Sequence, residues 1–133
     1  MSGVEQKPEA SAQSERIARH GDDAQLALRK LGADVEQHES LSATRKQAIG
    51  SLVDNLDEQI ALAQDASRET LTSARSQLRE TVRKMHNEVN GALGEMDSAA
   101  DHVLRSSVLA WTRAMDKLEV ELEQTEKRLS RGK

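Results

Sequence analysis

Residues 71–96 read LTSARSQLRETVRKMHNEVNGALGEM. The apolar residues Leu71, Ala74, Leu78, Val82, Met85, Val89, Leu93 and Met96 follow one another at steps of three or four. The steps repeat as four, four and three, so the pattern returns every 11 residues. Eleven residues in three turns is about 3.67 per turn, close to the α-helical period, and this aligns the apolar positions in a narrow, nearly straight stripe on one helix face.

The same spacing extends outward from Leu41 to Leu129 in three columns. One column runs through Leu41, Leu52, Ala63, Ala74, Met85, Met96, Ser107, Leu118 and Leu129. The second contains Arg45, Leu56, Ser67, Leu78, Val89, Ala100, Trp111 and Leu122, and the third Ile49, Ile60, Leu71, Val82, Leu93, Leu104, Met115 and Glu126. Of these 25 positions 21 are apolar, against 14 of the other 64 in the span, so the period is no accident of composition. A strict heptad would impose a left-handed supercoil, whereas this repeat predicts straight or slightly right-handed packing. The fold class expected is all-α: long amphipathic helices in an elongated coiled-coil-like or helical-hairpin arrangement.

Before the stripe, residues 1–10 read as a flexible tail, too poor in apolar side chains to offset the entropy of ordering. A first helix is expected over residues 11–37, where Ile17, Ala24, Leu28, Leu31 and Val35 fall at helical spacing. Gly21 and Gly32 each weaken it by roughly 1 kcal/mol relative to alanine. Between His38 and Thr44 the phase slips by one residue, which marks a boundary, and Ser40 or Ser42 is placed to cap the next helix. A long helical region is expected over 42–130, with one candidate break near 90–97. There Gly91 and Gly94 suggest a turn, with Ser98 capping a third helix, but Leu93, Met96 and Ala100 stay in phase and favour continuity. Unbroken, this helix would span ~130 Å. The basic C-terminal end, which includes residues 131–133, complements the helix dipole.

Composition narrows the function. The 133 residues include one aromatic side chain, Trp111, so no ring-rich core is available, and a thin seam of Leu, Ile, Val, Met and Ala must be covered by another helix, a partner or lipid. Nineteen basic and 23 acidic residues are nearly balanced, which argues against a nucleic-acid partner. The absence of cysteine excludes disulfides and thiolate metal sites. No apolar run reaches the length of a transmembrane segment and the N-terminus has no signal-peptide hydrophobic region, so a cytoplasmic or other intracellular soluble location is expected.

No enzyme chemistry is expected. Asp34 with His38 and His20 with Asp23 have helical ligand spacing, but neither pair has a third ligand in sight, and no metal or cofactor is expected. Phosphate loops, nucleophile elbows and H-E-x-x-H patterns are lacking. Acidic residues such as Asp54, Asp57, Glu58, Glu119, Glu121 and Glu123 read mostly as a solvated helix face. The candidate site is therefore a helix-packing interface: Leu52, Leu56, Ile60, Leu71, Leu78, Val82, Met85, Val89, Leu93, Met96, Leu104, Trp111, Met115, Leu118 and Leu122.

Two functions fit such a face. One is a non-enzymatic structural or assembly protein that packs through the stripe against itself, as a homo-oligomer, or against other helical proteins. The other is an amphipathic helix lying on a lipid or granule surface. The 11-residue period is similar to that of helices that coat lipoproteins, droplets and polymer granules, a likeness of architecture carried by no motif. The stripe has a single Trp, includes Ala63, Ala74, Ser67 and Ser107, and lacks systematic basic flanks, which favours protein packing.

Overall fold

The computed structural model describes residues 8–95 and 102–131. Among them the chain forms four α-helices and no strand: α1 (Pro8–Glu36), α2 (Ala43–Gln64), α3 (Leu71–Gly94) and α4 (His102–Arg131). Each helix lies antiparallel to the one before it. α4 returns to lie along α1 and closes a four-helix bundle.

The one-residue slip between α1 and α2 coincides with a reversal. The amide of His38 donates to the Val35 carbonyl (3.2 Å) and that of Leu41 to the His38 carbonyl (3.3 Å). Ser42 is the N-cap of α2, its hydroxyl accepting from the Arg45 amide at 3.1 Å, which satisfies a first-turn donor that has no intrahelical partner.

The region expected to be one long helix is three. Sequence reasoning missed the reversal at residues 65–70. There the Thr70 hydroxyl accepts from the Ser67 amide (2.9 Å), and the Leu71 amide donates to the Ser67 carbonyl (2.9 Å). Ala63, Ser67 and Leu71 are spaced four and four, so the turn takes up whole steps of the repeat. Spacing along the chain survives while direction in space reverses. Continuity near 90–97 is not observed either, since α3 ends at Gly94 and α4 starts at His102 running back along it. The expected Ser98 cap and the stripe residues Met96 and Ala100 lie outside the described residues.

In every helix the apolar stripe turns inward. Leu28 and Leu31 of α1, Leu56 and Ile60 of α2, Leu78 and Met85 of α3, and Trp111 and Leu118 of α4 are all fully buried in one core. Burying a Leu or Ile side chain is worth about 1.5–3 kcal/mol, so these layers supply the main drive for folding. Every described member of the three columns is buried or half-buried except Ser67, which is exposed in the α2–α3 turn.

Candidate functional site

Of the expected interface residues, Leu56, Ile60, Leu71, Leu78, Val82, Met85, Val89, Leu104, Trp111, Met115, Leu118 and Leu122 are buried. Leu52 and Leu93 are half-buried and pack against the same core, and Met96 lies outside the described residues. The structure thus brings these side chains together within one chain, so another molecule is not needed to cover them. Trp111 is an internal layer rather than an exposed anchor. Its ring lies 4.8 Å from that of His86, tilted by 45°, and its indole N–H has no hydrogen-bond partner.

Side-chain bonds tie the α1–α4 seam toward both of its ends. Between α1 and α4, Gln13 donates to Glu121 Oε1 (2.6 Å) and Arg16 pairs with the same carboxylate (3.1 Å). Toward the other end of that seam the Ser107 hydroxyl donates to Asp34. Asp34 is also held by Lys30 at 2.9 Å. Burial pushes the Asp34 carboxyl up, but the bonds from Ser107 and Lys30, with the charge of Lys30, outweigh it and hold the group below its ordinary range.

Both ends of α2 are stitched across glycines. Gln64 donates to the Ala18 carbonyl (2.8 Å) over Gly21, where an added Cβ would stand 2.2 Å from its amide nitrogen. At the opposite end Arg45 crosses Gly91 of α3 to pair with Glu88 (2.8 Å) and with Glu95. The missing Cβ lets the Gln64 and Arg45 side chains cross closely at these two points, and neither glycine has a positive φ.

The α3–α4 seam is bridged by Arg75 and, from the α2–α3 turn, by Arg68, which donates to the Leu129 carbonyl (3.3 Å). Two adjoining grooves of about 740 and 680 Å³ run along it, sharing Thr72 and Glu126 in their linings. Their apolar floor includes Leu71, Val82 and Leu129. Arg75, Arg79 and Arg83 line the α3 wall at successive helical turns, and Glu119 and Glu126 line the α4 wall. Arg75 pairs with Glu126 (2.8 Å) and more distantly with Glu123 (3.8 Å), while Arg75 Nε and Glu126 Oε2 are buried without a partner. Arg79 makes no ion pair among the described residues, and Arg83 pairs only with Glu80 of its own helix. Glu119 is half-buried; burial first, and then the nearby charge of Asp116, push its carboxyl above the ordinary range, partly opposed by Arg79 and Arg75.

This corrects the expected solvated acidic face. Asp54 and Glu58 are exposed, but Asp57, Glu119, Glu121 and Glu123 are half-buried at helix seams. The helical ligand pairs also dissolve. Asp34 turns to Lys30 and Ser107, and His38 shares a bond with Ser40 (2.8 Å). His20 lies 3.9 Å from Glu121 across the α1–α4 seam. Among the described residues no three His, Cys, Asp or Glu side chains gather closely enough to hold a metal ion, and no helix is long and apolar enough to cross a membrane.

Fold and site together define an all-helical bundle with charge-lined grooves along its α3–α4 seam. Comparison with protein-family models, curated proteins and solved structures finds no match to this chain.

Proposed function

We propose that the chain is a non-enzymatic structural or assembly protein that acts by packing against helical partners. The observation that carries this reading is the open α3–α4 seam, whose floor is apolar and whose walls are charged, the make-up of a helix-packing surface. Because the stripe itself is buried within the chain, contact with partners falls to the outer surfaces and to this seam. Arg75 and Glu126 pair across the seam, while Arg79 has no ion pair among the described residues and so offers a charge for a partner to meet.

The competing reading, a bundle that opens onto a lipid or granule surface, is favoured by one observation. Arg75, Arg79 and Arg83 flank Leu71, Leu78 and Val82 on α3, where they would reach anionic headgroups if the seam parted. Sedimentation velocity and far-UV circular dichroism, in plain buffer and with anionic vesicles, separate the two. The assembly reading expects strong helicity in buffer and no shift on vesicles. Co-sedimentation of the chain with vesicles, together with a change in helicity, would replace it by the lipid reading.

A further inference from the structure

Deepening that reading, and resting on it, we infer that the α3–α4 seam is a docking groove for one amphipathic helix of a partner, acidic along the edge that meets α3 and basic along the edge that meets α4. The two grooves together extend along α3 from Leu71 to Asn87, about 24 Å or four and a half helical turns. A helix about 10 Å across, sunk to half its depth over that length, displaces roughly 940 Å³. The grooves of about 740 and 680 Å³ have room for it.

Charge selects the edges. On α3, Arg75, Arg79 and Arg83 stand one turn apart, and the acid among them, Glu80, is held by Arg83. On α4, Glu119, Glu123 and Glu126 repeat at the same pitch, with Lys127 reaching only Glu123, at 3.9 Å. A row of carboxylates at i, i+4 and i+8 on the incoming helix meets the first wall, and a row of lysines or arginines meets the second.

A helix is favoured over an extended peptide because the groove walls are helices and present no strand edge, so an extended backbone would enter with its amides unpaired. A second copy of this chain is disfavoured because all four of its helices already bury their apolar stripes in their own core.

The test uses the full chain and an 18-residue synthetic helix with a leucine stripe, glutamates on one edge and lysines on the other. Arg79 and Arg83 are reversed together to glutamate; both are exposed and neither makes an ion pair to another helix, and since the charge of Arg79 also acts on Glu119 the fold of the variant is checked directly. Fluorescence anisotropy of the labelled probe reads the outcome, with circular dichroism checking the fold of both proteins. Binding to the native chain, at least tenfold weaker binding to the reversed variant, and recovery with a probe carrying lysine on both edges are expected. Equal binding to both proteins overturns the groove, and so does no binding to either. If sedimentation still finds assemblies of the native chain in those cases, the groove falls and the assembly reading stands. Vesicle association without probe binding overturns both.

Discussion

Gly91 lies beneath the Arg45 guanidinium, and its substitution separates backbone propensity from cross-helix pairing. Alanine gains about 1 kcal/mol of helix propensity over glycine. At Gly91 its Cβ would come within 2.8 Å of the guanidinium and displace it from Glu88 and Glu95. Such exposed pairs are individually weak and screened by solvent, so their loss offsets the gain in helix propensity. At Gly94 an added Cβ meets nothing within 4 Å. Gly94→Ala is therefore expected to raise the melting temperature by a few degrees and Gly91→Ala to leave it almost unchanged. An equal rise in both would show that Arg45 contributes nothing in place.

Glu119 offers a second residue-scale test. Its folded carboxyl titrates above the ordinary value, so the protonated form is the one the bundle favours. That stability is fully present below the unfolded pKa and is lost as pH rises through the folded one. Glu119→Gln should thus stabilise the protein at neutral pH, with the gain fading as pH falls below the ordinary carboxylate range. Asp34 has the opposite sign, being lowered: its contribution is present above the unfolded value and is lost on acidification through the folded one, and Asp34→Asn should flatten that acid limb. Thermal melts between pH 3 and about 8 check both predictions.

Within a single helix the stripe governs tolerance. Leu78 is fully buried and Arg83, five residues on along α3, is exposed. Leu78→Asp places a carboxylate in the aliphatic core and should cost at least about 3 kcal/mol, enough to unfold much of the chain, while Arg83→Asp should do little. Equal losses of helicity would contradict the assignment of faces. The α2–α3 turn has its own test. Thr70→Ala removes the acceptor for the Ser67 amide and should cost about 1 kcal/mol by chemical denaturation. A signal for that turn was present in the sequence, since Ser67 is a polar member of an apolar column and no large apolar side chain stands on the columns between Ile60 and Leu71. It is a weak signal, because one serine on a seam costs little while spacing stays in phase.

For the whole molecule, helix length and shape part company. α4, the longest helix at 30 residues, extends about 45 Å, against ~130 Å for an unbroken helix from Ser42 to Leu129. Small-angle scattering of dilute protein should give a compact particle whose longest dimension is set by one helix plus its terminal segments. A rod beyond about 100 Å would restore the elongated arrangement.

The division between sequence and structure follows from what each interaction depends on. Helical class, the inward face of each helix and the boundary after α1 depend on neighbours three, four and eleven residues away, and the chain order of Leu, Ile, Val and Met already specifies them. Where the chain turns back is a different matter. An 11-residue count carries no direction, so the reversal between Gln64 and Leu71 passes unseen through it. The partners of Arg45, Gln64, Glu121 and Arg75 lie 43 to 108 residues away along the chain. No local pattern encodes such separations. The open α3–α4 seam and the raised carboxyl of Glu119 exist only because four helices are packed in a closed ring, where the depth of each side chain is set by its neighbours in space.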